Sequence, residues 1–399
     1  MLIYFLLCAL SFSTFESKTV STESAMFLGK YYFFSKFNND VIFCAVDLED
    51  QVSHHTRHLY TISATHIPTP CKDNVTVLVD NKVQLQGIEY KAQLSFINVA
   101  QDTIDDFHIV ITDSEEPIVG STSVYSFAHK IKNEDYSIID LLYKQNKIES
   151  KKFTLEIINN PKGNIYFGDI PNDVLSNYTH MMNVPLSDKS SAYWEINIEY
   201  IFIDPISYVY TNVYMKTQYI AKLSAKEYQS YVPVSVMDFI KQEIFSEYFE
   251  NKTCTEGYDG VKCKCDSISA LRNFSLIIND RIVNITTNRL FVDIDKICFF
   301  ELAENKESPL EWVLNSKILD KFMLTFDYES DSVTFYSRYE NFIAIDLDTL
   351  FPTKRIVKMS LSIILLILTL IFGRMLYVIC KKRRKNHINQ FIEEFYIKL

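Results

Sequence analysis

A long apolar run at residues 359–380, MSLSIILLILTLIFGRMLYVIC, with Lys381, Lys382, Arg383, Arg384 and Lys385 directly after it, decides where the rest of the chain can fold. At the ~1.5 Å rise of a helix, such a run crosses a hydrocarbon core ~30 Å thick. The basic flank places the C-terminal residues in the cytosol, and Arg374 lies close enough to that end to snorkel. Residues 1–13 open with MLIYFLLCAL, an apolar run of signal-peptide length, with Ser11 or Ser13 as the cleavage point. The expectation is a single-pass type I membrane protein with a signal peptide at 1–13, a lumenal or extracellular body, a membrane helix at 359–380 and a cytoplasmic tail at 381–399. Its membrane partner is then a bilayer of the secretory pathway: plasma membrane, vacuole or endomembrane.

The body between these segments carries the chemistry of that compartment. Six cysteines fall in it, Cys44, Cys71, Cys254, Cys263, Cys265 and Cys298, and an even count in an oxidising environment implies disulfides. The count alone leaves the connectivity open. Sequons at Asn74, Asn177, Asn251, Asn273 and Asn284 all lie on the same side of the apolar run, where glycans are added. A formal charge of -10 excludes a nucleic-acid surface.

Between residues 14 and 350 the pattern is of many short, alternating apolar strands with few long helices, which predicts an all-β body. One exception stands out in YIAKLSAKEYQSYVPVSVMDFIKQEIFSEY, residues 219–248. A strand there gives way to Pro233 and then to an amphipathic helix, with Val236, Phe239, Ile240 and Phe245 at helical spacing and Asp238, Lys241 and Glu243 between them. This segment resembles the second active-site segment of the pepsin-like aspartic proteases, A-φ-φ-D-[ST]-G-x-S-x-x-φ-x-P with φ apolar. Ala221, Leu223, Tyr231 and Pro233 keep the frame, whereas Ser224-Ala225-Lys226 replaces Asp-Thr/Ser-Gly. No aspartate lies between Asp204 and Asp238, and Glu227 sits three residues past the site.

The resemblance covers residues 30–340. In its first half the match to the strand entering D-[ST]-G is Val41-Ile42-Phe43-Cys44-Ala45-Val46, which puts Cys44 at the first aspartate position. Asp47 comes next, but without a glycine after it. Tyr90 heads a stretch with the family's flap spacing, twelve residues to Asp102, with Lys91, Gln93 and Ile97 in place of the flap glycines. Ile118-Val119-Gly120 stands for the hydrophobic-hydrophobic-Gly of the first lobe. Ser137–Pro171 matches the helix, strand and interlobe hairpin, Tyr193-Trp194 opens the second lobe, and Trp312-Val313-Leu314-Asn315 matches W-I-L-G with Asn315 for glycine.

The resemblance therefore implies a bilobal pepsin-like double barrel, with an N-terminal lobe at 14–172 and a C-terminal lobe at 173–350. It also implies a Cys265–Cys298 bridge, a local Cys254–Cys263 pair, and Cys44 with Cys71. Glycine is scarce, 8 residues of 399 against a usual ~7%, although the family's cleft is built on glycine turns. With Cys44 and Ser224 at the two sites, the shared proton of a carboxylate pair has no home. No catalytic residue, metal or cofactor is expected, and His54-His55-x-x-His58 reads as a solvated loop.

The leading expectation is a membrane-anchored glycoprotein without protease activity that binds a protein or peptide ligand through Tyr90 and Lys91. The alternatives are a working aspartic endopeptidase with its dyad in another register, and a structural surface protein. Cys380 reads as a palmitoylation candidate, and Tyr396-Ile397-Lys398-Leu399 either as a Y-x-x-φ sorting signal or, with Phe391, Ile392 and Phe395, as an amphipathic patch on the inner leaflet.

Overall fold

The computed structural model describes residues 20–27, 30–37, 40–48, 54–56, 70–79, 83–96, 99–112, 123–131, 134–159, 162–203, 214–225, 229–257, 260–306, 308–319, 322–338, 342–344, 365 and 367–383. The signal segment, His58, Ile118–Gly120, Lys226, Glu227 and the tail from 384 onward lie outside the described residues. The chain divides into two compact units, Met1–Ile343 and Ala344–Leu399. In the second unit, residues 367–383 are helical. No helix among the described residues is long and apolar enough to cross a membrane.

The first unit is mostly β, as the alternation predicts. Its first strands are β1 (Val20–Phe27), β2 (Lys30–Phe37), β3 (Asp40–Asp47), β4 (His54–Thr56), β5 (Pro70–Val79), β6 (Val83–Phe96), β7 (Val99–Thr112), β8 (Ser123–Ser126), β9 (Lys152–Asn159) and β10 (Lys162–Phe167). Next along the chain are β11 (His180–Pro185), β12 (Glu195–Ile203), β13 (Tyr214–Leu223), β14 (Ser230–Val232), β15 (Cys254–Gly257), β16 (Gly260–Lys264), β17 (Phe274–Ile278) and β18 (Arg281–Ile285). The last are β19 (Phe291–Ile294), β20 (Ile297–Phe300), β21 (Leu302–Glu304), β22 (Glu311–Leu314), β23 (Met323–Asp327), β24 (Ser332–Ser337) and β25 (Phe342–Ala344).

Among the described residues the largest sheet runs β11-β24-β23-β9-β10-β1-β2-β3-β8-β4-β7-β6-β5. Early and late strands meet in it where β23 pairs with β9, Phe326 opposite Phe153. That seam is sealed by aromatic side chains: Phe153 stacks on Phe326 at 4.6 Å between centroids, and Trp194 packs on Phe326 at 5.1 Å. The Trp194 indole N–H donates to the Phe127 carbonyl at 2.8 Å, so its polar atom is satisfied at full burial. Beside it, His129 Nε2 meets Asp331 Oδ1 at 3.0 Å.

Burial works against the charge of Asp331, but hydrogen bonds from His129 and Lys189 outweigh it and hold the carboxyl below its ordinary value. A depressed carboxyl pKa contributes stability that is present above the unfolded-state value and is lost as pH falls through the folded-state value. Asp331→Asn is therefore expected to flatten the loss of stability below about pH 5. Urea midpoints of the two proteins across that range check this, and parallel curves would exclude it.

The second sheet, β21-β14-β22-β13-β12-β17-β18-β25, and a small third, β15-β16-β20-β19, complete the unit. Two disulfides fasten the third sheet, Cys254–Cys263 and Cys265–Cys298, the pairs the resemblance implies. The third implied pair is not formed: Cys71 is a free thiol, because its Sγ is turned to the Glu89 carbonyl at 3.4 Å.

The helix after Pro233 begins on schedule at Val234, but Lys241–Phe245 is a π-turn between the helical pieces Val234–Ile240 and Ser246–Glu250. The extra residue per turn widens the apolar stripe. Val236, Met237, Ile240 and Ile244 keep a regular helical stripe, and the π-turn adds Phe245, five residues past Ile240, to the buried face, while Phe239 packs only partly against the core.

Candidate functional site

Two strand arrangements with one topology carry the site. In the second half β13 runs parallel to β22, β14 lies antiparallel on the other side of β22, and β21 is parallel to β14. In the first half β3, β8, β4 and β7 repeat each of those relations in the same chain order. The registers can therefore be laid on one another. Val313 is opposite both Lys222 and Tyr231, and Val124 is opposite both Ala45 and His54, so each pair is separated by nine residues.

Two positions beyond Lys222 comes Ser224; two beyond Ala45 comes Asp47. The counterpart of Ser224 is thus Asp47, with Leu48-Glu49 where the motif has [ST]-G, and Cys44 falls three residues too early. Cys44 is instead an internal β3 residue opposite Phe33. By the same overlay Val124-Tyr125-Ser126 stands in the place of Val313-Leu314-Asn315, and Ile118–Gly120 lie outside the described residues. His54 and His55 belong to β4, inside the sheet, because each pairs with both β7 and β8, and the solvated-loop reading is overturned.

At the second position the geometry is closed and polar atoms are matched. Ser224 is 1% exposed, its N–H donates to the Leu314 carbonyl at 2.9 Å, and Leu223 and Ala225 on either side are buried. Asn315, in the glycine position, is buried too. Ser230 Oγ donates to Asn315 Oδ1 at 2.8 Å and accepts from the Asn315 N–H at 3.1 Å, which explains how a side chain is tolerated there. Ser230→Ala is expected to cost about 1–3 kcal/mol, because it removes a buried hydroxyl that bonds both the Asn315 amide oxygen and the Asn315 N–H. Chemical denaturation measures this, and a change within error would contradict it.

Tyr90 does not occupy a hairpin tip. It lies within β6, opposite Pro70 of β5 and Ile109 of β7, and its ring packs against the core. Lys91 is exposed and paired with Asp106 at 3.0 Å. The hairpin between β6 and β7 is drawn tight at Gly87, where a Cβ would stand 2.6 Å from the Ile111 carbonyl oxygen. Of the sequons, Asn177 and Asn251 are exposed, Asn273 and Asn284 are half-buried with Oδ1 accepting from the Thr287 N–H and Ser275 Oγ, and the Asn74 side chain lies outside the described residues.

A mostly β fold with two such paired crossings defines a pepsin-like protein. The chain belongs to the eukaryotic aspartyl protease family, whose profile matches residues 71–337. Among solved structures it is similar to an aspartic proteinase from Irpex lacteus, at 12% identity and TM-score 0.62 over 80% of this chain and 97% of that one. It is also similar to the basic 7S globulin from soybean, at 15% identity and TM-score 0.63 over 80% and 96%. At these identities the likeness is one of fold. No curated protein sequence matches.

Proposed function

We propose that this family member has lost peptidase catalysis and serves as a membrane-anchored glycoprotein that binds a protein or peptide ligand. The observation that carries the reading is Ser224: at the second site a buried hydroxyl stands where the chemistry needs a carboxylate. By register Asp47 stands at the first position, and one carboxylate cannot share a proton with a serine. A solved neighbour named as a globulin and not as a proteinase fits a fold used without that chemistry. A pepstatin-like inhibitor, held through its hydroxyl by two carboxylates, is expected not to retain the protein on an affinity matrix. Retention that is competed by free inhibitor would refute the reading.

For the ligand, an extended chain added to a sheet edge needs no catalytic carboxylate. β5 ends the large sheet among the described residues and offers such an edge. The lobes at 14–172 and 173–350, the membrane segment at 359–380 and a lumenal body belong to the same proposal. Protease added to sealed vesicles is then expected to remove only the tail. Endoglycosidase is expected to lower the apparent mass, with Asn177 and Asn251 as the accessible acceptors.

A further inference from the structure

Cys71 lies where β5 slips against β6. The register steps from Pro70 opposite Tyr90 to Lys72 opposite Glu89, so Cys71 is the extra residue of a bulge. Bulges re-aim the side chain they displace, and this one turns the thiol toward Glu89. Glu89 is 6% exposed, and its Oε1 lies 2.6 Å from His108 Nδ1. The two are diagonal neighbours on one face, since Glu89 is opposite Val110 and Lys91 opposite His108. Tyr136, in the short helical turn Glu134–Tyr136, lies beside the carboxylate: burial and Glu89 together push its phenol pKa up. Ligand atoms of Cys71, Glu89 and His108 all lie within 4.8 Å of one another.

We propose that Cys71, Glu89 and His108 form a binding site for a borderline-soft divalent cation, Zn2+, with a fourth position open to solvent. A thiolate, an imidazole and a carboxylate together select zinc over the hard cations magnesium and calcium. Three protein ligands leave the remaining tetrahedral position to water. Bond lengths of ~2.0–2.3 Å in a tetrahedron put ligand atoms about 3.4 Å apart, so the Glu89–His108 pair, now 2.6 Å apart, must open while the thiol closes in, and Cys71 can provide its part of that movement because it is exposed. Burial and the neighbouring Glu89 charge push the thiol pKa up; a bound dication reverses that field and deprotonates it. Cys254, Cys263, Cys265 and Cys298 are bridged, whereas Cys71 keeps its thiol.

The test uses the metal-free, full-length protein with the Cys254–Cys263 and Cys265–Cys298 disulfides intact, titrated with Co2+ and then Zn2+. One equivalent of Co2+ is expected to give a thiolate-to-cobalt charge-transfer band that Zn2+ bleaches. Cys71→Ser should abolish the band, and His108→Ala should weaken binding by about tenfold or more. Lys91→Ala, which removes a nearby cation and no ligand, should retain it. Zn2+ should also slow alkylation of the Cys71 peptide by about tenfold, read by mass mapping as the ratio of alkylated to unalkylated Cys71 peptide. Glu89 is buried, so the exposed Cys71 variant and the alkylation rates decide the matter if Glu89→Gln does not fold. No band in the wild type, a band that survives Cys71→Ser, or alkylation indifferent to Zn2+ would each overturn the proposal.

Discussion

Purified protein mixed with a peptide library at about pH 3 to 7 is expected to release no fragments, and Ser224→Asp alone is expected to leave it silent. Losing general-base activation costs ~10²- to 10⁴-fold, and here the acid partner is missing as well. Position 224 is not ready to receive a carboxylate. It is 1% exposed between two buried apolar residues, and no glycine turn comes after it to aim the group. A larger, charged carboxylate placed there is desolvated in a site shaped for a hydroxyl, so the variant should lose about 1–3 kcal/mol of stability. Aiming both carboxylates takes Ala225→Thr, Lys226→Gly, Leu48→Thr and Glu49→Gly in addition. Pepstatin-sensitive hydrolysis by the wild type would sink the non-catalytic reading, and hydrolysis by Ser224→Asp alone would show that the turns aim well enough without glycine.

The fold is legible in the chain because its landmarks are packing residues. Trp194, Phe153 and Trp312 are all buried, and an alternation of this kind survives the loss of chemistry, since the core needs it whatever the site does. The two bridges of the third sheet are legible for the same reason. The first active-site position is misplaced by sequence alone because its signal is a glycine, and Glu49 stands there. Without that mark the apolar run Val41–Phe43 draws the register three residues early. Only strand pairing corrects it, since the register of β3 is set by β8, some eighty residues away.

Tyr90 misleads in a different way. Its spacing to Asp102 fits the flap pattern, but spacing does not say where a hairpin turns, and β6 continues to Phe96 before it does. The Cys71, Glu89 and His108 cluster has no local signal at all. Its members sit on three strands, and the bulge that gathers them is a property of pairing.

The two tryptophans of the chain separate packing from hydrogen bonding at the seam between early and late strands. Trp194→Ala is expected to cost about 3–5 kcal/mol, the range for a large aromatic removed from a close-packed interior. It is fully buried and contacts Phe153, Phe326, Tyr328 and His129. Trp194→Phe keeps much of that contact but removes the indole donor to the Phe127 carbonyl, which still accepts from the Tyr328 hydroxyl at 3.2 Å, and should cost about 0.5–1.5 kcal/mol for the lost bond. Trp312 is the comparison: it is equally buried, but its indole N–H meets no acceptor among the described residues. Trp312→Phe removes an unsatisfied donor together with some volume, so the two terms oppose and its cost should fall below that of Trp194→Phe. Each variant leaves one tryptophan as a fluorescent reporter of urea unfolding, and equal m-values would confirm that stability alone has changed. Should Trp312→Phe prove the more damaging, the hydrogen bond to Phe127 is not what distinguishes the two sites, and volume at the β13–β22 crossing is the stronger constraint.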